Sequence, residues 1–568
     1  MDMASPAGSL PEWSPLASAP SLDNLGKGEK EEKEEQQRMM EERAEADVED
    51  CGTCFTKLPF LNIFRSPRWF LVFLSLAACV QGAIVNGLVN VVIATIEQKF
   101  GMTSSQSGVI VASQDVGSLL VMLPASHLGG RLGSSKPRWI AAGMVIIGLG
   151  SLTWTIPHFI TSSYKGAHGS PLCNTTETLE DKCSGETSGS LGHQAVFIIS
   201  QFLVGVGCSP LLSLGTTFMD ESVSGKSSPV YIGIFQMWLV IGPALGSVMG
   251  GSFLRSRSSA WWPGFLITGV IALFSAAAIH LYPPRIRSKK ETDKRPNEAE
   301  AASFLETMRS LLTNPDYLLL ALASGGDGAI ISSYGAFFPK FIEQQYGLSK
   351  GKAAQVVGMI VVPAGGLGTF LGGWIVKRFQ LTRSKIILMF IVIQLITLPL
   401  LLSFLLVCPG LSFAGPSTST TFPMEAACTN MTSTCYCPSY DPVCGSDGLT
   451  HYSPCHAGCS TIDSKHTFSN CSCVQGGTVQ RSSCKSKCNY LVPFITVTFV
   501  VVFLIFLTLA PMAIACLRSV AASEGSLAIG LQVCLARLAG AIPGPVVFGA
   551  FLDQTCSTWI QSCGECPL

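Results

Sequence analysis

The chain has 568 residues and a mass of 60.3 kDa, with 48 % hydrophobic residues, 13 % charged residues and a mean hydropathy of +0.41. A soluble domain carries roughly 25 % charged residues, so this composition excludes a water-soluble multidomain protein, and its apolar content excludes a mostly disordered one. Lys+Arg and Asp+Glu balance at 37 each, which argues against nucleic acid as a partner and leaves an integral membrane protein in contact with a lipid bilayer.

In chain order, residues 1–68 are polar and include a mixed Glu/Lys/Arg run at 29–50. They read as a cytoplasmic, disordered tail. No charged n-region followed by an apolar h-region opens the chain, so the first span is expected to serve as its own signal. Cys51 and Cys54 have a metal-like spacing without a second ligand pair; lipidation of these thiols is the alternative. Eleven apolar stretches follow, at 69–96, 107–126, 138–157, 194–218, 229–251, 261–282, 316–339, 353–376, 385–407, 490–516 and 526–552. Each approaches the ~20 residues that cross a bilayer core of about 30 Å. The expected organisation is all-α and polytopic: a six-helix bundle at 69–282, a cytoplasmic linker at 283–315 and a second bundle at 316–407 and 489–552. An extracellular domain at 408–488 and an extracellular tail at 553–568 complete it.

Basic residues set the orientation. Arg131, Lys136 and Arg138 follow the second span, seven basic residues from Arg285 to Arg309 follow the sixth, and Lys377, Arg378, Arg383 and Lys385 follow the eighth. These loops and the N-terminus are therefore expected in the cytoplasm. The Asn-x-Ser/Thr acceptor sites Asn174, Asn430 and Asn470 fall in loops expected outside, where glycosylation occurs. Ten of the 22 cysteines lie in the loop after span nine: Cys428, Cys435, Cys437, Cys444, Cys455, Cys459, Cys471, Cys473, Cys484 and Cys488. Disulfides among them suit an oxidising compartment.

Two internal features stand out. Leu128-Gly129-Gly130 ends span two and Leu371-Gly372-Gly373 ends span eight, each followed by basic residues. These positions are equivalent if spans 1–6 and 7–12 are parallel repeats, the major-facilitator plan of two bundles around a midplane site. That plan calls for twelve spans where eleven are found, so either the last helix is absent or the sequence is incomplete, and the C-terminus of this chain is expected outside. In the cysteine-rich loop, Cys437 and Cys444 enclose six residues, Cys444 and Cys455 ten, and Cys455 and Cys459 three, around Pro442-Val443-Cys444-Gly445-Ser446-Asp447-Gly448 and Tyr452. This spacing resembles a small Kazal domain stapled by disulfides whose pairing stays open.

A Kazal-like loop between spans nine and ten resembles the organic anion transporting polypeptides. Ala260-Trp261-Trp262-Pro263-Gly264-Phe265-Leu266 is similar to their motif before span six. Pro339-Lys340-Phe341-Ile342-Glu343-Gln344-Gln345-Tyr346-Gly347 is similar to their span-seven end, and Arg537-Leu538 with Ile542-Pro543-Gly544-Pro545 to their span eleven. Val85-Asn86-Gly87-Leu88-Val89-Asn90 resembles the fourth subfamily. The resemblance implies sodium-independent transport of amphipathic organic anions such as bile acids, steroid conjugates, thyroid hormones and prostaglandins. It also implies alternating access, a counter-anion such as bicarbonate, and a plasma-membrane location. The chain departs from the family at Arg255-Ser256-Arg257-Ser258-Ser259, where an Asp-x-Arg-Trp run is usual, and at Val204 and Cys208, where other subfamilies place Arg and Glu. The second reading is a non-transporting or truncated member acting as a surface binding module or Kazal-type inhibitor.

Ionisable groups inside spans are costly and mark candidate sites. Arg537 lies mid-span, and its guanidinium suits a substrate carboxylate or sulfate; the alternative is a structural ion pair with Asp115 or Asp327. Lys340, at the outer end of span seven, is a second substrate-binding candidate or a snorkelling lysine. Asp115 and Asp327 are candidate intramembrane partners of Arg537 and Lys340. The resemblance makes His158, at the outer end of span three, a pH-sensing candidate; a solvated interfacial histidine is the alternative. Gly225-Lys226-Ser227 lacks the upstream glycine of a phosphate-binding loop, because Asp220 stands there. No nucleophile with a placed base and no metal cluster emerges, so neither an enzyme nor a cofactor is expected.

Overall fold

The computed structural model describes most of residues 66–160, 190–255, 261–283, 303–405, 443–484 and 490–554, with four residues inside 52–57. Helix α1 begins at Pro67, whose fixed φ suits a first helical turn, and runs through Pro67–Gly82, a π-helical Ala83–Leu88 and Val89–Phe100. It is followed by α2 (Ser104–Gly130) and α3 (Lys136–Thr153), which a turn extends into a short helix, Ile156–Ile160. The first half closes with α4 (Ser190–Ser222), α5 (Ser228–Arg255) and α6 (Pro263–His280). The second half contains α7 (Pro315–Tyr346), α8 (Lys350–Phe379), α9 (Arg383–Leu400) and α10 (Leu491–Leu517). The last helix among the described residues, α11, has three parts: Gly525–Ala536, a π-helical Arg537–Ala541 and Pro543–Gln554.

Among the described residues, ten helices are long and apolar enough to cross a membrane. Helix α7 is long enough, but Ser324, Gly325, Gly326, Asp327 and Gly328 dilute its apolar character. The span is marked by its place in the alternation rather than by hydropathy.

Packing follows one scheme twice. In the first half α2 packs on α4, α3 on α4, and α1 on α5; in the second, α8 packs on α10, α9 on α10, and α7 on α11. Adding six to each helix number converts one set into the other. The contacts between halves obey the same rule, since α5 meets α8 and α11 meets α2. The glycine pairs show it atom by atom. A Cβ on Gly129 would lie 2.4 Å from the Leu214 side chain of α4, and one on Gly372 would lie 2.2 Å from the Leu507 carbonyl of α10. A Cβ on Gly130 would lie 2.6 Å from Ser526 of α11, and one on Gly373 would lie 2.3 Å from the Pro229 carbonyl of α5. The first glycine of each pair seats its helix within its own half; the second lets the two halves touch.

A short helix, Phe304–Thr313, joins the halves and opens with a capping box between Ser303 and Glu306. His127 of α2 meets its Phe304 edge-on at 5.1 Å, and the next residue, Asn314, donates to the Ser519 carbonyl at 3.1 Å. This side of the molecule is called the linker end. The first half buries Trp154, Trp261, Phe197 and Phe265 in one cluster, with Trp154 stacked on Phe265 at 4.6 Å. The second half buries Phe338 and Phe494 against Tyr346 and Phe506.

Between α9 and α10, at the opposite end, lies a small five-stranded antiparallel sheet. Its strands are β1 (Val443–Gly445), β2 (Thr450–His451), β3 (Cys459–Ser464), β4 (Thr467–Cys471) and β5 (Thr478–Gln480), in the order β2-β1-β5-β4-β3. Its core is small, comprising Val443, Ala457, Phe468, Val474, Val479 and two half-cystines. Disulfides Cys444–Cys484 and Cys459–Cys471 brace it, and Cys455 and Cys473 are also disulfide-bonded. Asn470 is exposed, and its side-chain amide donates to Ser460 Oγ at 2.6 Å. Cys428, Cys435, Cys437, Cys488, Asn174 and Asn430 lie outside the described residues, as do the tail at 553–568 after Gln554 and most of 1–65.

Candidate substrate site between the halves

Arg537 begins the π-helical turn of α11, about 18 Å along that helix from its linker-end start at a rise of 1.5 Å per residue. Asp115 sits at a similar depth on α2. Because α2 and α11 approach through Gly130–Ser526 and Ser126–Gly530, the two side chains meet across the halves. Arg537 Nη1 donates to Asp115 Oδ1 at 2.5 Å, with the arginine side chain 16 % exposed and the aspartate 39 %. The sequence left Asp115 and Asp327 as alternative partners; the structure brings Asp115 to Arg537 and keeps Asp327 away. Thr217 of α4 and Ser526 of α11, 3.1 Å apart, continue the polar seam toward the linker end. Cys208 of α4 lies in the electrostatic neighbourhood of Arg537 and Asp115 and beside Gln81 of α1, so a position flagged by its departure from other subfamilies faces this pair.

Asp327 of α7 is 7 % exposed and sits inside the second half. Gln394 Nε2 of α9 reaches its Oδ1 at 2.5 Å, and Thr508 Oγ1 of α10 lies 3.1 Å from its Oδ2. Arg537 pairs with Asp115 instead, and the described partners of Asp327 are these two neutral groups. Neither was singled out in the sequence, although a lone amide in the apolar run around Gln394 was the available signal. Lys340 belongs to the helical backbone of α7, and its side chain lies outside the described residues. His158 stacks on Trp262 at 4.9 Å and 20° and meets Trp261 edge-on at 6.4 Å, at the end of the bundle away from the linker. Among the described residues, Lys99 of α1 is a charged group in its electrostatic surroundings. The Trp261-Trp262 pair thus ties the end of α3 to the start of α6.

The chemistry available is anion recognition at a single arginine. A guanidinium offers five donors in a planar fork, and Asp115 Oδ1 engages one terminal nitrogen. A separate concavity of about 790 Å³ lies among the linker-end residues Asp220, Lys226, Gln380 and Arg518, remote from Arg537 in the chain fold.

A family model described as the Organic Anion Transporter Polypeptide family matches residues 69–567. Solute carrier organic anion transporter family member 4A1 of Mus musculus is 34 % identical, over 89 % of this chain and 77 % of the relative. Member 4C1 of Homo sapiens is 32 % identical, over 98 % of this chain and 82 % of the relative. Among solved structures, the major facilitator superfamily transporter FucP in its outward conformation matches with a TM-score of 0.51 at 12 % identity, covering 88 % of this chain and 93 % of that one. The xylose symporter XylE matches with a TM-score of 0.51 at 12 % identity, over 86 % and 89 %. The fold is that of the major facilitator superfamily.

Proposed function

The chain belongs to the Organic Anion Transporter Polypeptide family, and on that premise we propose that it carries amphipathic organic anions across the plasma membrane by alternating access. The substrates are bile acids, steroid conjugates, thyroid hormones and prostaglandins. Transport needs no sodium and runs in exchange for a counter-anion such as bicarbonate. The observation that carries this reading is the Arg537–Asp115 pair, a partly exposed cation shared between the two halves.

In this account the linker end is cytoplasmic, with the N-terminus and the basic loops. The close approaches between halves, Gly130–Ser526 and Gly373–Pro229, then hold the cytoplasmic side together, which corresponds to a carrier receptive from outside. Opening the cytoplasmic side separates α2 from α11 and breaks the Arg537–Asp115 pair. A charge-assisted hydrogen bond is worth about 1.5–3 kcal/mol, and leaving a desolvated arginine without an anion costs several kcal/mol. A substrate sulfate or carboxylate that takes over the guanidinium removes that cost. The empty carrier has no such replacement, so each passage favours a bound anion. This is the physical root of exchange. Lys340 adds a second cation toward the outside, and His158, stacked on Trp262 near Lys99, lies where the anion enters.

The test is uptake of a labelled steroid sulfate into cells expressing the chain, with sodium replaced by choline and surface protein measured by biotinylation. The expected result is saturable uptake that survives sodium removal and is stimulated by an anion preloaded on the other side. Surface protein without saturable uptake of steroid sulfate, bile acid or thyroid hormone contradicts the proposal.

A further inference from the structure

The turn between α4 and α5 carries Gly225-Lys226-Ser227, which the transport reading leaves unused. It forms one wall of the linker-end concavity of about 790 Å³. Lys226 belongs to the first half, whereas Gln380 at the end of α8 and Arg518 at the end of α10 belong to the second. The space is therefore shared between the halves, beside the seam where Gly373 of α8 meets Pro229 of α5. A space of this size suits a small molecule rather than a bare ion.

Its charge favours an anion. Lys226 and Arg518 stand against one lining acid, Asp220, which accepts from Ser228 Oγ at the start of α5. Arg518 Nη1 donates to the Leu381 carbonyl at 2.7 Å, a single use of the five donors of a guanidinium. Lys226 has no acidic partner among the described residues, and neither have Lys377 and Arg378 in the last turn of α8. The carbonyl end of α8 is closed by Leu381 N on Val376 O at 3.2 Å and Gln380 N on Lys377 O at 3.4 Å. The backbone of the α4–α5 turn is occupied as well, since Ser227 N and Ser228 N both donate to the Ser224 carbonyl, at 2.7 and 3.0 Å. These amides are not open to a phosphate as those of a nucleotide-binding loop are, so recognition falls to side chains. A phosphomonoester suits two cations held on separate halves, because it carries about 1.5–2 negative charges near neutral pH and three acceptor oxygens. The sulfate or carboxylate of a carried anion brings a single charge.

We propose that the linker-end concavity binds a phosphate-bearing ligand, with Lys226 and Arg518 as its cationic contacts, and that the bound ligand ties the two halves together at that end. The chemistry is shared by a phosphoinositide headgroup and a soluble inositol phosphate. The tie acts in the same sense as the Gly373–Pro229 approach, keeping the linker end closed. That this end is cytoplasmic, and that holding it closed slows transport, rests on the transport reading above; the binding does not.

The test uses the purified full chain in detergent with three probes: a short-chain phosphatidylinositol bisphosphate, soluble inositol trisphosphate and, as a control, a short-chain phosphatidylcholine. The expected result is saturable binding of a phosphoinositide or inositol phosphate probe with a Kd about tenfold higher in Lys226→Glu and Arg518→Gln, as the loss of one charge-assisted contact allows. Lys226→Arg is expected to bind as the wild type does. So is Arg309→Gln, which removes an exposed cation of the linker helix outside the concavity. Lys226 is exposed, so Lys226→Glu decides the matter even where Arg518→Gln, which loses the Leu381 contact, does not fold. Binding of inositol trisphosphate as tight as that of the lipid assigns the site to soluble phosphates, and binding of the lipid alone assigns it to a headgroup; both support the proposal. Binding of neither, equal Kd in wild type and Lys226→Glu, or equal binding of phosphatidylcholine overturns it. In a second arm the bound probe is present while Ser526→Cys, buried at the α2–α11 contact, is exposed to an impermeant thiol reagent. Labelling of that cysteine, read by mass spectrometry, is expected to slow several-fold. An unchanged rate overturns the tie between the halves. Neither arm requires transport, so a chain that carries no anion ends the transport reading and leaves both results standing.

Discussion

Arg537 meets Asp115 across 422 residues of chain, at the depth where two otherwise apolar helices from different halves touch. The charge-assisted bond of this pair is worth about 1.5–3 kcal/mol, which a substrate anion offsets by taking over the same guanidinium. Asp115→Asn keeps the volume and removes the competitor. It is expected to lower the KM for steroid sulfate by about tenfold, the factor that about 1.4 kcal/mol allows. A raised KM in surface-normalised uptake would show that Asp115 assists the anion rather than yielding to it. An arginine in the middle of a span was legible as a candidate, because its burial cost is visible in the composition of its neighbours. Its partner was not. Asp115 and Asp327 are equally acidic and equally intramembrane, and only the α2–α11 contact separates them. Asp327 was legible as costly, but its neighbours Gln394 and Thr508 were not, since they carry no charge to draw attention.

At the scale of helices and strands, the glycine pairs carry the most information. A Cβ at Gly373 would lie 2.3 Å from the Pro229 carbonyl of the other half, and backbone cannot yield as a flexible side chain does. Gly373→Val therefore pushes the halves apart at the linker end, at an overpacking cost of about 1–3 kcal/mol. On the transport account it is expected to increase labelling of a buried Ser526→Cys reporter by a membrane-impermeant thiol reagent applied from the cytoplasmic side. Gly372→Val, which strikes Leu507 within its own half, is the control. Equal labelling in both variants would contradict the assignment of Gly373 to the moving interface. The loop domain has its own prediction. Burial holds His451 below its ordinary value of 6.5, with Asp447 opposing, and burial together with His451 does the same for His456. The folded loop therefore disfavours protonation of both histidines. Their contribution to stability is present above pH 6.5 and falls as the pH drops below it, because the unfolded loop takes up protons first. Protease cleavage of the loop on intact cells should be several-fold faster near pH 5.5 than near pH 7.5, and His451→Phe should flatten the difference. Cleavage that ignores pH would contradict this. Cysteine spacing announced the staples of this domain. Strand order and disulfide partners depend on contacts that spacing does not encode.

For the whole molecule, the repeat was readable at only one point, the paired Leu-Gly-Gly turns, and the structure extends it to the α2–α4, α3–α4 and α1–α5 contacts and their counterparts α8–α10, α9–α10 and α7–α11. The helices followed from apolar length, with the stretch at 316–339 that becomes α7 counted among the eleven. What the sequence did not carry is which helices of one half face the other. Period and hydropathy describe a helix against its surroundings, whereas the α5–α8 and α2–α11 contacts depend on how two finished bundles dock. Those contacts place Arg537 between the halves, and the account rests on that placement. The most direct measurement is surface-normalised uptake of a labelled steroid sulfate by the wild-type chain, Arg537→Ala and Arg537→Lys. Loss of the charge-assisted bond, worth about 1.5–3 kcal/mol, predicts a fall of one to two orders of magnitude in Arg537→Ala, with partial recovery in Arg537→Lys, which keeps the charge but not the fork. Saturable uptake by Arg537→Ala at the wild-type level would contradict the account, because the cation shared by the two halves would then not be where the anion is held.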